Sequence, residues 1–230
     1  MYCISNMRMI TGGKKLNNRN GKTLELVQLA LFAAIILIMV FTPYLGYIPL
    51  GFMNATIIHI PVIIGALFLG PKKGAILGFI FGLTSLFNNT FNPNVTSFVF
   101  SPFYTVGGVH GGISSLIVCF VPRILIGVVA YYVYKAVIKA MGNKSSAKTI
   151  AFAAAGVSGA LTNTILVMSG IYFLFGSSYS AAKGLAADSL YKLIFTVIGT
   201  QGIPEAIIAG VIVTAVGQVL FKFRKLERLG

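Results

Sequence analysis

The stretch ISSLIVCFVPRILIGVVAYYVYKAVI, residues 113–138, contains only two charged side chains, Arg123 and Lys135. The hydrocarbon core of a bilayer is about 30 Å thick and is crossed by about 20 helical residues. This run is therefore long enough to cross a membrane as a single α-helix. In the whole chain of 230 residues, 57% are hydrophobic and 10% are charged. A soluble domain of this size could not cover its surface with so little polar material.

Five further apolar runs predict additional spans, so that the chain is predicted to cross the membrane six times. Their ranges are 24–41, 55–69, 75–87, 149–175 and 204–221. Residues 190–203 are only semi-apolar, and we expect them either to lie at the outer interface or to lengthen the last helix. The predicted fold class is all-α, a polytopic membrane protein with six transmembrane helices.

Basic side chains predict the orientation of these helices. Most Lys and Arg residues form four clusters, which precede the first span, separate the second from the third and the fourth from the fifth, and follow the sixth. Six spans put all four clusters on one side, which the positive-inside rule makes cytoplasmic. The prediction is a multi-pass plasma-membrane protein with a basic cytoplasmic tail (1–22), a six-helix membrane domain (23–222) and a basic cytoplasmic C-terminus (223–230). The net charge of +14 follows from this topology and does not indicate nucleic-acid binding.

Small residues recur at intervals of four and indicate close helix packing. They are Gly70, Gly74, Gly78 and Gly82 along the third span, Ala147, Ala151, Ala155 and Gly159 along the fifth, and Ala206 and Gly210 on the sixth. Packing within the bundle explains these three stripes. A similar pair on the first helix, Ala30 and Ala34, lies in its cytoplasmic half, where a second protein could dock.

Arg123 is the most costly residue to bury, because it lies near the middle of the fourth span. A cation at that depth needs a partner or a polar cavity. Glu205 is the only acid near the interior of a predicted span. We expect the two side chains either to form a structural salt bridge or to bind a ligand, and the sequence leaves both interpretations open.

Other polar side chains gather toward the outer half of the predicted bundle. They are Asn88 and Asn89 at the end of the third span, Tyr104 in the outer loop, Asn163 in the fifth span and Gln201 before the sixth. The outer loop alternates aromatic and hydrogen-bonding residues, which suits either a lid over a small polar ligand or an aromatic belt at the headgroups. His59, in the second span, is predicted to be a satisfied packing residue. Two isolated histidines predict no metal site.

The sequence lacks the motifs of several activities. No Gly-x-x-x-x-Gly-Lys-Ser/Thr motif occurs, so we do not expect this chain to hydrolyse ATP itself. Paired carboxylates, a metal-ligand cluster and a nucleophile elbow are also missing. We therefore expect no enzymatic activity and no cofactor. A stand-alone secondary carrier and a small intramembrane enzyme are the alternatives to a partner-driven transporter.

Several motifs, taken in order, resemble those of a known transporter family. They are His59-Ile60-Pro61, the turn 69–74, the loop 96–103, Pro122-Arg123-Ile124-Leu125 and Ile203-Pro204-Glu205-Ala206. With the pair Ala30 and Ala34, the stretch 24–221 resembles the substrate-binding S components of energy-coupling factor (ECF) vitamin transporters. The similarity is to the branch that handles pantothenate, pyridoxine and hydroxymethylpyrimidine.

The resemblance implies a six-helix protein that binds a water-soluble vitamin near the extracellular side. It also implies a transmembrane coupling subunit, which Ala30 and Ala34 would contact, and two ATPase subunits that drive transport as the loaded protein topples in the membrane. The site is expected among helices four to six and the outer loops. Its expected residues are Arg123, Asn163, Glu205, Asn89, Asn88, Gln201 and Tyr104.

The charges favour pantothenate as the substrate. Its carboxylate could pair with Arg123, with Lys192 helping, and its amide and hydroxyls could bond to Asn89, Asn163 and Gln201. If Glu205 instead neutralises Arg123, the site is neutral overall and suits pyridoxine or hydroxymethylpyrimidine.

Overall fold

The computed structural model of the chain describes residues 17–42, 46–49, 54–106, 109–142, 144–182, 184 and 189–226. The α-helices in these ranges are α1 Asn17–Phe41, α2 His59–Leu69, α3 Pro71–Phe91, α4 Ile113–Met141, α5 Ser145–Ala182, α6 Ser189–Val197 and α7 Ile203–Leu226. Short strands form two antiparallel hairpins, β1 Tyr47–Pro49 with β2 Asn54–Thr56 and β3 Thr105–Val106 with β4 Val109–His110. A 3₁₀ turn lies at Ser97–Val99, and a π-helical segment, Ile198–Gly202, joins α6 to α7. We call the end of the bundle with the two hairpins the loop end.

Five helical stretches of the described chain are long and apolar enough to cross a membrane. They are Lys22–Phe41, Pro71–Phe91, Ile113–Met141, Ser145–Ser180 and Ser189–Lys222. The helix α2 is apolar but has only 11 residues. The predicted second span, 55–69, is therefore wrong in its first residues, which belong to hairpin β1–β2. Pro61 lies in the first turn of α2, where a missing N–H breaks no helical hydrogen bond.

The connection between α2 and α3 is shorter than the predicted basic turn 70–74. Gly70 alone separates the two helices, in a backbone conformation with φ of +94° that favours glycine. Pro71 takes the first helical position, where its fixed φ suits the helix. Lys72 and Lys73 therefore belong to the first turn of α3.

Residues 190–203 lengthen the last helix, which was one of the two predicted outcomes. The helices α6 and α7 and the π segment between them make one continuous helical stretch. Pro204 has no N–H for the carbonyl of Thr200, and the wider π turn before it accommodates this loss. Gln201 and Gly202 are buried within that turn.

Glycines set the close approaches between helices. A Cβ at Gly78 would lie 2.1 Å from the carbonyl oxygen of Arg123, so α3 and α4 touch through their backbones. A Cβ at Gly156 would lie 2.7 Å from the carbonyl oxygen of Ala209, which brings α5 and α7 equally close. Within the predicted stripes, Gly74, Gly78 and Gly159 likewise pack closely on neighbouring helices, whereas Gly70 lies in the turn with nothing near it.

Buried apolar side chains form two clusters. The large cluster contains side chains from helices α1, α2, α3, α4, α5 and α7, among them Ile36, Ile63, Phe81, Ile126 and Val213. The loop cluster joins the Ser97–Val99 turn to α4, α5 and α6 and includes Phe98, Val118, Ile171 and Ile194. The guanidinium of Arg123 lies where the clusters meet, because it contacts Phe81 of the large cluster and Phe100, which packs against the loop cluster.

Helix α1 packs on the bundle along one side only. Ile36 is fully buried in the large cluster. Ala30 and Ala34 are exposed, and they are flanked along the helix by Val27 and Ile38, each 59% exposed. The predicted docking pair therefore lies on an apolar surface that no described residue covers.

Candidate functional site

A proline and an arginine are adjacent in α4, and their chemistry explains how the arginine is held. Pro122 has no N–H, so the carbonyl oxygen of Val118, four residues earlier, loses its helical hydrogen bond. Nη1 of Arg123 donates to that oxygen at 2.9 Å. The side chain thus runs back along its own helix toward the loop end and is only 7% exposed.

The rest of the guanidinium is poorly satisfied. Nη2 of Arg123 lies 3.4 Å from Oγ of Ser85 on α3, a long hydrogen bond, and the buried Nε has no partner among the described residues. The rings of Phe100 and Phe81 lie 4.9 and 5.7 Å from Cζ. Such cation–π contacts contribute about 0.5–2 kcal/mol each, whereas burying a cation in the membrane costs several kcal/mol. The guanidinium therefore keeps donor capacity for an anion.

No described carboxylate neutralises Arg123. The described ranges contain two acids. Glu25 pairs with Lys73 on the far side of the bundle from the loop end. Oε1 of Glu205 accepts a hydrogen bond from the backbone N–H of Thr56 at 2.5 Å. The salt bridge considered between Arg123 and Glu205 is therefore not formed, because each side chain is held by a different backbone group.

Hydrogen bonds connect the neighbourhood of the arginine with the loop end. Nδ2 of Asn89 donates to the carbonyl oxygen of Ser85 at 2.8 Å, and Oγ of Ser97 donates to Oδ1 of Asn89 at 2.9 Å. The backbone N–H of Asn94 in turn donates to Oγ of Ser97 at 2.8 Å. Asn89 is therefore fixed between the arginine and the loop that precedes the second hairpin.

Two further buried amides come from α5 and the π segment. Asn163 is 7% exposed and its Oδ1 has no hydrogen-bond partner, while Gln201 is 8% exposed. A Cβ at Gly202 would lie 2.8 Å from Cγ2 of Thr164, so the π segment packs directly on α5 beside Asn163. The two amides therefore belong to one neighbourhood.

That neighbourhood lies at the depth of Arg123. The helices α4 and α5 run antiparallel, and close contacts pair Gly170 with Val118 and Gly159 with Ala130. Interpolating between these contacts puts Arg123 level with Ile165 and within about one helical turn of Asn163. The backbone of Arg123 is thus within about one helical turn of Asn163, while its guanidinium lies nearer the loop end, beside Val118 and Ser85.

A second polar cluster lies where β2, α2 and α7 meet. It comprises Glu205, bonded to the backbone of Thr56, and His59, which is 1% exposed. Oγ1 of Thr56 is buried without a partner, and neither ring nitrogen of His59 makes a hydrogen bond of ordinary geometry, although the Thr56 backbone is close. His59 is therefore buried within the bundle as predicted, but its ring is not fully satisfied by the described residues.

Three predicted residues lie outside these two groups. Asn88 is only partly buried, and its Oδ1 accepts a long hydrogen bond of 3.4 Å from Asn92. Tyr104 packs, partly buried, against the loop cluster. Lys192 is exposed on α6, so its predicted help for Arg123 is not seen. In the described ranges, no three His, Cys, Asp or Glu side chains come together to hold a metal ion.

Sequence reasoning missed Ser85, Phe81 and Thr56, and it considered Phe100 only as part of the aromatic outer loop. Ser85 did carry a signal, since it continues the Gly78 stripe toward Asn89 at helical spacing. The two phenylalanines and Thr56 reach the site through tertiary contacts that no local pattern predicts.

Comparison with known proteins identifies the family of the chain. Residues 24–217 match the family described as "ECF transporter, substrate-specific component". The chain is 36% identical over 208 residues to the "Pantothenic acid transporter PanT" of Lactococcus lactis subsp. cremoris (strain MG1363), a match that covers 90% of this chain and 98% of that protein. It is 31% identical over 207 residues to the "Pantothenate transporter PanT" of Leuconostoc mesenteroides subsp. mesenteroides, covering 87% and 94% of the two chains. This chain belongs to the family of substrate-specific components of ECF transporters.

Proposed function

We propose that this chain captures pantothenate outside the cell and delivers it to an ECF coupling module. The observation that carries the proposal is the buried guanidinium of Arg123, which no carboxylate of the described residues neutralises. The two relatives above are named as transporters of pantothenic acid and pantothenate, the vitamin of the considered branch that carries a carboxylate.

The carboxylate of pantothenate binds Arg123. A guanidinium forms short, strong hydrogen bonds with carboxylates, and two of its donors here are weakly used or unused. The rings of Phe81 and Phe100 keep water from the pair, which strengthens the electrostatic attraction. Neutral pyridoxine and hydroxymethylpyrimidine offer nothing that would offset the burial of this charge.

The amide of pantothenate binds the layer next to Arg123. Oδ1 of Asn163 is a buried acceptor without a partner and can take the amide N–H. The buried amide of Gln201 can serve the amide carbonyl. Asn89, fixed by Ser85 and Ser97, limits the site toward the loop end, through which the vitamin enters.

Delivery needs an orientation and a docking surface. We place the loop end outside and the four basic clusters in the cytoplasm. In this topology α2 and hairpin β1–β2 together make the second pass, which brings the five spanning helical stretches to six passes. The exposed pair Ala30 and Ala34 on α1 allows close approach of a helix of the coupling subunit. Two ATPase subunits bound to that subunit supply the energy.

Ligand affinities of the full chain in detergent test the carboxylate contact. Titration calorimetry compares pantothenate with pantothenol, in which a hydroxymethyl group replaces the carboxylate. The wild type should prefer the acid by about 30-fold or more, since a desolvated charge pair is worth about 2–5 kcal/mol. Arg123→Gln should bind the acid and the alcohol equally weakly. Lys192→Gln, which removes an exposed cation, should keep the wild-type preference.

Equal affinity of the wild type for acid and alcohol would overturn carboxylate recognition by Arg123. A thermal-shift panel separates the substrates, because a tight ligand at saturation stabilises by several kcal/mol. If only pyridoxine or hydroxymethylpyrimidine raises the melting temperature, that vitamin and not pantothenate is the substrate. Gradient-driven uptake in liposomes that contain only this chain would favour the stand-alone carrier.

A further inference from the structure

The second polar cluster, made of Thr56, His59 and Glu205, is not used by the contacts proposed so far. Its members come from three elements, and the hydrogen bond from the Thr56 backbone to Glu205 fastens hairpin β1–β2 to the start of α7. Among the described residues, Oγ1 of Thr56 has no hydrogen-bond partner, and neither ring nitrogen of His59 makes a hydrogen bond of ordinary geometry, although the Thr56 backbone is close. Leaving such buried groups unsatisfied is unfavourable, so the cluster is suited to a polar partner.

The cluster lies in the same layer as Arg123. The helices α2 and α3 run antiparallel from Gly70, and a Cβ at Gly74 would lie 2.4 Å from Cβ of Ala66. Continuing this register toward the loop end brings His59 to the depth of Phe81, about seven residues or two helical turns beyond that contact. The ring of Phe81 is 5.7 Å from Cζ of Arg123. The buried Phe81 thus lies at the depth of both polar groups.

We infer that Thr56, His59 and Glu205 form the subsite for the hydroxyl-bearing end of the vitamin and determine specificity for it. This inference rests on the proposed function, because it takes the carboxylate end to be held by Arg123. The two subsites then hold the two polar ends of one molecule, and the dimethyl carbon between them packs on Phe81.

The chemistry of the cluster fits two alcohol groups. A carboxylate accepts hydrogen bonds, a neutral imidazole donates one and accepts one, and a threonine hydroxyl does both. Two aliphatic hydroxyls, each a donor and an acceptor, can therefore satisfy Glu205, His59 and Thr56 together. The vitamin is thereby oriented with its acid end toward Arg123.

The test measures discrimination between pantothenate and N-(3,3-dimethylbutanoyl)-β-alanine, which keeps the carboxylate and lacks both hydroxyls. The full chain in detergent is titrated with both compounds and with pantothenol. The wild type should bind pantothenate at least about tenfold more tightly than the hydroxyl-free analogue, as expected for two or more buried hydrogen bonds. His59→Phe and Thr56→Val should reduce that ratio to below about threefold, while the preference for pantothenate over pantothenol stays.

Two further variants keep the test decisive. His59→Gln is the alternative if His59→Phe does not fold. Because glutamine retains a hydrogen-bonding group, it should keep part of the preference for pantothenate over the hydroxyl-free analogue. Thr214→Val removes a hydroxyl that bonds only to the carbonyl of Gly210 in its own helix and should leave the ratio at the wild-type value. An unchanged ratio in folded Thr56→Val, or a wild type that binds pantothenate and the hydroxyl-free analogue equally well, would overturn the subsite. If Arg123→Gln keeps the preference for acid over alcohol, the carboxylate contact fails, and the hydroxyl ratio still reports on this cluster separately.

Discussion

Gly78→Ala is the substitution for which the structure gives the sharpest expectation. The added methyl group would lie 2.1 Å from the carbonyl oxygen of Arg123, whereas ordinary contacts of this kind begin at 3.4 Å. The helices α3 and α4 would have to separate by about 1 Å, and overpacking of this kind costs about 1–3 kcal/mol. The better helix propensity of alanine offsets about 1 kcal/mol of this loss in stability. We expect a net loss of stability of up to about 2 kcal/mol and a lower melting temperature without ligand.

The same displacement should reduce ligand affinity. The hydrogen bond from Arg123 to Ser85 is already 3.4 Å long, so a shift of about 1 Å breaks it and moves the guanidinium away from its aromatic neighbours. We expect pantothenate to bind at least about tenfold more weakly, which corresponds to about 1.4 kcal/mol. Titration calorimetry and thermal unfolding of the purified protein measure the two effects.

Two matched glycine variants control for the loss of glycine itself. Gly210→Ala brings the new methyl to 3.0 Å from a side-chain methyl of Val157, which can adjust, and Gly112→Ala meets nothing within 4 Å. Both should keep the wild-type affinity and lose less stability than Gly78→Ala. A Gly78→Ala protein as stable as Gly210→Ala, with unchanged affinity, would show that backbone contact between α3 and α4 does not hold the arginine in place.

Three other perturbations separate docking, surface charge and site charge. Ala30→Trp and Ala34→Trp should bind pantothenate normally in detergent and lose transport in vesicles that contain the coupling module, because the bulky ring blocks helix approach; lost binding would contradict this role. Lys73→Glu should lower the free energy of unfolding by less than about 1 kcal/mol, because surface ion pairs contribute little. The double exchange Lys73→Glu with Glu25→Lys should restore it, because the pair forms again with its charges reversed. Arg123→Met should raise the free energy of unfolding without ligand by about 1–4 kcal/mol, the range found when buried ion pairs are replaced by apolar residues. It should also abolish the thermal shift with pantothenate. A lower melting temperature than the wild type would instead make the arginine structural.

The sequence predicted the long helices well, because a long apolar run has few alternatives at membrane depth. Helix α4 begins at the predicted residue, Ile113. The second span failed because apolar character alone cannot distinguish a strand from the start of a helix. Asn54, Ala55 and Thr56 pair with the strand Tyr47–Pro49, a tertiary choice that hydropathy does not record.

The candidate site was predicted in its residue types and not in its pairings. Arg123 and Glu205 were considered as a salt bridge because they are the only opposite charges near span interiors. The local sequence contained a competing acceptor, since Pro122 leaves the carbonyl of Val118 free for the side chain that follows it. The bond from Thr56 to Glu205 joins residues 149 positions apart, and no local pattern predicts such a contact.

No carboxylate of the described residues neutralises the guanidinium of Arg123, and this explains why the proposed site should select by charge. A buried ion pair would have neutralised Arg123 in the empty protein, and a vitamin would then gain little from adding a second anion. Here the cation has one good hydrogen bond, one long one and two ring faces. In the proposed site, the carboxylate of the ligand would supply the missing partner and relieve a cost that the folded protein already bears. Selectivity follows from the same fact, because a neutral vitamin of equal shape leaves that cost in place.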